Sequence, residues 1–292
     1  MMRVVETISQ VRDWVAETRA AGARVALVPT MGALHAGHLA LVERAGAVAD
    51  VTIVSIFVNP LQFGPGEDLE RYPRMLDADL RTLAPFPVSA VFAPSVEDLY
   101  PVRSHPADES PSGGRGTRVT AGHVATLFEG ATRPGHFDGV LTVVSKLLNI
   151  VRPDVVLFGQ KDAQQVFLVK RMMADLNVPV TVEVVPIVRE DGGLALSSRN
   201  RYLSAQQKQS AVALSASLAA AAASAPAGRD EALAAAQQVL GAAPAVRLDY
   251  FAIVDPDTFL PVAADHRGLA LAVLAAYVGT TRLIDNRLIT LG

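Results

Sequence analysis

The chain has 292 residues, half of them hydrophobic and 5% aromatic, enough to bury one large core or two smaller ones built from Val, Leu, Ile and Ala. A net charge of -3 gives no electrostatic reason to expect nucleic acid or an anionic membrane as partner. No apolar segment follows Arg3 at the amino terminus, and outside an alanine-rich stretch no uncharged apolar run reaches 18 residues, so the expectation is a cytoplasmic protein without signal peptide or membrane span.

In chain order, helical spacing over 8–20 is followed by an apolar run at 24–28 that reads as a buried strand. Next comes Pro29-Thr30-Met31-Gly32-Ala33-Leu34-His35-Ala36-Gly37-His38, and then a helical pattern over 39–48. A turn from strand into helix offers unpaired backbone N–H groups and the positive end of the helix dipole. Gly32 and Gly37 are expected to let a ligand approach the backbone, and His35 and His38 to donate to charge developing on a phosphorus. The pair could instead be half of a zinc site, but the chain has no cysteine and His105, His123, His136 and His266 form no ligand-spaced pair.

Further strands are expected at 51–58, 88–92, 154–158 and 180–185, with helices at 137–151 and 163–176. Strands that are apolar throughout and alternate with helices describe a doubly wound, Rossmann-like parallel sheet covered on both faces, where ligands bind beyond the carboxyl ends of the strands. The absence of a G-x-G-x-x-G after the first strand argues against a dinucleotide. Asp77 and Asp79, on a helix, read as a solvated face rather than as metal ligands. Residues 101–117, dense in Pro, Gly and Ser, read as a mobile surface loop. After 185 the pattern changes to alanine-rich helices over 204–223 and 231–240 and three successive strands at 246–254, 269–277 and 281–289, a small α+β domain. The division expected is 1–187 and 188–292, with a hinge near Ile187.

Two further segments carry chemistry. Phe158-Gly159-Gln160-Lys161-Asp162-Ala163-Gln164-Gln165 follows the strand at 154–158, and its lysine stands out because only four of the 26 basic residues are lysines. Ala195-Leu196-Ser197-Ser198-Arg199-Asn200 opens the second domain. With the first segment these resemble the HxGH nucleotidyltransferases, and with Ile56-Phe57-Val58-Asn59-Pro60-Leu61-Gln62-Phe63 they resemble, over nearly the whole chain, the pantoate–β-alanine ligase family. Gln160, Ala163 and Leu196 depart from the family pattern, which usually has Glu, often an aromatic, and often Met there.

The resemblance implies ATP-dependent joining of pantoate to β-alanine through a pantoyl adenylate, with Mg²⁺, in a homodimer formed through the first domain. It also implies the residue roles. His35 and His38 meet the α-phosphate, and His38 is a candidate proton donor. Lys161, Arg199, Ser197 and Ser198 hold the β- and γ-phosphates, and Asp162 the ribose. Backbone of Met31, Gly32, Ala33 and Leu34, with Val188 and Leu196, lines the adenosine, while Ala36, Gly37, Gly159 and Gln160 complete the nucleotide site. Gln62 and Gln165 recognise the hydroxyls of pantoate. His136 reads equally as a pocket residue or as a structural helix start.

Overall fold

The strand β2 (Val25–Thr30) is the centre of a six-stranded sheet in order β1-β4-β3-β2-β5-β6, in a computed structural model that describes residues 2–64, 66–67, 69–101 and 116–292. Its companions are β1 (Arg3–Val5), β3 (Val51–Ile56), β4 (Ala90–Phe92), β5 (Val155–Gly159) and β6 (Thr181–Val185). The pairings resolved by register are parallel: β2 runs with β3 from Val25↔Val51 to Thr30↔Ile56, and with β5 at Ala26↔Val155. Val25 to Val28 are fully buried, as are Ile53, Val54, Val91, Phe92 and Leu157, which is why these strands are apolar throughout instead of alternating.

The helices joining them are α1 (Ile8–Ala20), α2 (Ala36–Val48), α3 (Leu76–Leu83), α4 (Val96–Leu99), α5 (Glu129–Thr132), α6 (His136–Val151) and α7 (Ala163–Asp175). Thr7 and Gln10 close a capping box on α1, satisfying two backbone donors at its start. From β2 the chain steps outward through β3 and β4, then returns to β5 on the other side of β2 and ends at β6. The topological switch point therefore lies between β2 and β5, where sheets of this kind take their ligands.

Two features escape the sequence pattern. β1 is three residues long and pairs with β4 at Arg3↔Ala90, too short to show a period. α2 starts at Ala36 and not at 39, so His38 stands in its first turn. The loop expected at 101–117 falls, except for Pro101, Gly116 and Thr117, outside the described residues.

The chain divides into two compact units, the first comprising residues 1–34, 38–158 and 168–183 and the second 35–37, 159–167 and 184–292. The second unit has its own antiparallel sheet, β7 (Val246–Val254), β8 (Gly268–Val278) and β9 (Thr281–Leu291), with α8 (Ala205–Ser224) and α9 (Arg229–Gly241). β8 and β9 stay in register from Gly268↔Leu291 to Val278↔Thr281 across a turn in which Gly279 has φ +60°. Ala211, Leu214, Leu218 and Ala221 of α8 share one core with Ala232, Ala236 and Leu240 of α9 and with Ala270, Ala272, Leu274 and Ala276 of β8. Residues 205–227 are long and apolar enough to cross a membrane by composition, but the Leu214–Leu218 stripe is spent on this core. Truncating a leucine so placed costs about 2–5 kcal/mol.

Candidate active site

Beyond β2 the chain turns sharply: Gly32 has φ +79° and Ala33 φ +51°, both left-handed, and only the first is free of strain. The turn is held from below by Asp79, whose Oδ2 accepts from the Ala33 N–H at 3.0 Å and whose Oδ1 accepts from the Leu34 N–H at 2.9 Å. A Cβ on Gly32 would sit 2.8 Å from Asp79 Oδ2, so the glycine makes room for the carboxylate. This corrects the expectation of a solvated acidic face on α3. Asp77 is exposed, but Asp79 is 3% exposed and bonded to backbone 45 and 46 residues away, which no local pattern reveals. It also corrects the reading of the turn as a set of unpaired donors, since the amides of Ala33 and Leu34 are already used.

In the same unit a hydrogen-bonded relay fixes Gln62. Asn59 caps the 3-10 turn Pro60–Gln62: its Oδ1 accepts from the Leu61 N–H at 3.3 Å and from the Tyr100 hydroxyl at 2.9 Å. Its Nδ2 donates to the Gly139 carbonyl and to Gln62 Oε1, each at 3.1 Å. Leu61 N–H can only donate and Gly139 C=O can only accept, so these two groups fix which way the Asn59 amide points. The same logic fixes Gln62, whose Nε2 is left facing Met31 Sδ at 2.9 Å. Burial pushes the Tyr100 hydroxyl above its ordinary range, which keeps it a donor. Gln62, nine-tenths buried, thus presents N–H groups and not a carbonyl.

His136 opens α6, with both ring nitrogens in contact with protein groups. Arg133 Nη1 lies 2.9 Å from its Nε2, and since a guanidinium only donates, Nε2 accepts. Its Nδ1 lies 2.8 Å from the Gln62 carbonyl, which can only accept, so Nδ1 carries a proton and pins the Gln62 turn. Arg133 is itself paired with Glu67 at 2.7 Å.

The second unit holds the other motif residues. Gly37 N–H donates to His35 Nδ1 at 3.1 Å, so Nδ1 is the unprotonated nitrogen and Nε2 carries the proton. A Cβ on Gly37 would lie 2.9 Å from His35 Cε1, so glycine at the third position of the motif makes room for the imidazole. Burial, aided by the Lys161 charge and opposed by Asp162, lowers His35 to about 4. His35 is therefore a neutral N–H donor at physiological pH.

Gly159 ends β5, and Gln160–Asp162 form a 3-10 turn in front of α7. Lys161 Nζ forms a loose ion pair with Asp162 Oδ1 at 3.9 Å. Gln165 is half-buried on α7, whereas its neighbour Gln164 is 4% exposed. A short hairpin runs from Val188 to Leu196, with Leu196 N–H donating to Val188 O at 2.9 Å and Arg189 bridged to Ala195. It delivers Ser197, whose Oγ accepts from the Arg199 N–H at 3.3 Å, and the 3-10 turn Ser198–Tyr202. Buried Asn200 hangs this turn from Ala195 O at 3.0 Å and Glu190 Oε1 at 3.3 Å.

Of the residues singled out from sequence, the first unit carries Met31, Gly32, Ala33, Leu34, His38 and Gln62. The second carries His35, Ala36, Gly37, Gly159, Gln160, Lys161, Asp162, Gln165, Val188, Leu196, Ser197, Ser198 and Arg199. Within the second unit the structure brings His35 into the field of Lys161 and Asp162, and Gly37 against Leu196. Sequence reasoning missed Asp79, Tyr100 and the supporting groups Arg189 and Glu190. An Asn-Pro pair at 59–60 is a readable helix-start signal, but nothing local marks Tyr100 as its partner.

A doubly wound parallel sheet, with an imidazole-bearing turn after one strand of its switch point and a lysine-bearing turn after the other, defines a Rossmann-like α/β protein. The pantoate-beta-alanine ligase family model matches residues 3–288. A pantothenate synthetase of Leifsonia xyli subsp. xyli is 56% identical over 272 residues, 93% of this chain and 91% of that relative. One from Thermobifida fusca is 52% identical over 272 residues, 92% of this chain and 90% of the relative. The crystal structure of pantothenate synthetase from Thermus thermophilus matches with TM-score 0.88 and 45% identity, covering 98% of this chain and 99% of that one. The pantoate-beta-alanine ligase of Francisella tularensis, complexed with beta-gamma ATP and beta-alanine, matches with TM-score 0.77 and 33% identity over 99% and 98% of the two chains. The chain belongs to the pantoate–β-alanine ligase family.

Proposed function

We propose that this chain joins pantoate to β-alanine at the expense of ATP through a pantoyl adenylate, releasing pyrophosphate and then AMP. A carboxylate is a poor acyl donor because its oxygen does not leave; transferring it to the α-phosphate makes a mixed anhydride whose leaving group is AMP. Pantoate oxygen attacks phosphorus, the bond to the bridging oxygen of pyrophosphate breaks, and β-alanine nitrogen then attacks the pantoyl carbon. The observation that carries the reading is His35, held as a neutral Nε2–H donor beside the Lys161 ammonium in a chain that keeps all three family motifs. Placed donors of this kind stabilise charge that grows on phosphate oxygens.

In this reading His35 and His38 serve the α-phosphate, with His38 also giving a proton to the departing group. Lys161, Arg199, Ser197 and Ser198 hold the β- and γ-phosphates, Asp162 the ribose, and Met31 to Leu34 with Val188 and Leu196 the adenosine. Gln62 and Gln165 bind pantoate, Gln62 as a donor to one of its oxygens. Mg²⁺ accompanies the nucleotide: among the described residues no group of three or more His, Asp or Glu could cage an ion, and Mg²⁺ on phosphates needs few protein ligands. Residues 188–292 form the smaller domain that carries the Ser-Ser-Arg motif, and the enzyme works in the cytoplasm and, as the family resemblance implies, as a homodimer.

The test is isotope exchange between labelled pyrophosphate and ATP. It is expected to require pantoate and Mg²⁺ but not β-alanine, and to fall on the order of a hundredfold or more in Lys161→Ala and Arg199→Ala with folding intact. Release of ADP and phosphate, without exchange, would overturn the adenylate route.

A further inference from the structure

The middle of β9 carries two adjacent polar residues, Asp285 and Asn286, that are 3% and 4% exposed. They pair across the ladder with apolar Leu274 and Val273, and in a strand neighbouring side chains leave opposite faces. Burying a carboxylate and an amide in such surroundings is unfavourable unless every polar atom is bonded. Here each side chain grips a different loop.

Asn286 Nδ2 donates to the carbonyls of Gln160 at 2.9 Å and Lys161 at 3.0 Å. Its Oδ1 accepts from Gln160 Nε2 at 3.1 Å. The two carbonyls can only accept, so the amide has one orientation, and Gln160 closes it from the far side. Asp285 takes Arg189 in a two-pronged ion pair, Oδ2 to Nη1 at 2.6 Å and Oδ1 to Nη2 at 2.9 Å, and its Oδ1 also accepts the Asn286 N–H at 2.8 Å. Arg189 Nη1 continues to Gly193 O at 3.0 Å, inside the hairpin that delivers Ser197, Ser198 and Arg199. All of these residues belong to the second unit.

We infer that Asp285 and Asn286 are positioning residues, which hold the Lys161 turn and the Ser197–Arg199 turn from the two faces of one strand and so set both cation-bearing loops relative to each other. The inference rests on the adenylation reading for what the cations do. It adds that their placement is decided some 90 to 125 residues downstream, by a dipeptide that touches no substrate. Gln160 is part of the device, because a side chain without an N–H there leaves the Asn286 oxygen unmatched.

The experiment is a double-mutant cycle on pyrophosphate exchange, with melting curves on every variant. Asn286→Ala is expected to lower kcat about tenfold to a hundredfold, the range for a misplaced catalytic group, with the KM for pantoate unchanged. In a Lys161→Ala background the same substitution should cost less than about twofold further, because the group it positions is already gone. Gln160→Glu, which leaves the Asn286 side chain in place, should show the same non-additivity with a smaller loss and serves the cycle if Asn286→Ala does not fold. Asp285→Asn should be non-additive with Arg199→Ala and additive with Lys161→Ala. Fully additive losses would overturn the inference and make the pair a matter of stability alone. A wild type that exchanges no pyrophosphate, or a Lys161→Ala variant with undiminished exchange, would instead sink the functional reading.

Discussion

His35 illustrates how far a residue type is from a chemical role. A histidine at a helix start invites the idea of a cation for phosphate, yet the Gly37 N–H occupies its Nδ1 and burial lowers it to about 4. Between that value and the ordinary 6.5 the unfolded chain binds the proton and the folded chain does not, so stability rises with pH across the window and is lost as pH falls through it. His35→Asn, whose side-chain oxygen can still accept from Gly37, should show a shallower dependence of melting temperature on pH between 4 and 6.5 than the wild type. Equal slopes would mean that His35 titrates normally. The spacing of His35 and His38 was legible in the sequence; the tautomer was not, because it depends on a backbone contact. Asp79 was misread for a related reason, since its partners are amides that only the fold brings to it.

At the scale of elements, the 59–62 turn transmits polarity. Leu61 N–H and Gly139 C=O orient Asn59, Asn59 orients Gln62, and the Tyr100 hydroxyl completes the shell. Tyr100→Phe keeps the ring against Phe57 and removes one neutral hydrogen bond, worth roughly 0.5–1.5 kcal/mol. The expected result is a several-fold rise in the KM for pantoate with the KM for ATP unchanged. Gln62→Glu should raise the pantoate KM further, because it turns a donor toward an anionic substrate into a second anion. An unchanged pantoate KM with a lower melting temperature would reduce Tyr100 to packing. The helix and strand periods exposed this turn as a connection after an apolar run, but its hydrogen bonds reach 41 and 80 residues along the chain, beyond any periodic signal.

Over the whole molecule the two kinds of sheet were readable: apolar strands alternating with helices gave the parallel one, and successive strands after 246 gave the antiparallel one. Strand order and the placing of β1 were not, since they are set by which faces are left to cover. The second unit also draws on 159–167: Phe167 stacks on Phe259 at 5.4 Å, and the Asn286 amide is satisfied by Gln160 and Lys161. A fragment of residues 188–292 therefore leaves a buried amide unbonded and an aromatic face bare. It should melt without a sharp cooperative transition, and a sharp one near that of the full chain would show that the fragment's own core suffices.

If the adenosine lies on the turn after β2, as proposed, the carboxylate beneath that turn would also sort charge along the nucleotide. Because Asp79 places an anion under the amides of Ala33 and Leu34, a phosphate set there would meet a like charge instead of open donors, while a neutral sugar or base meets no such penalty. Inhibitors built on the adenosine end should accordingly tolerate neutral or cationic extensions toward this turn and lose affinity with acidic ones, the reverse of what a helix start usually rewards.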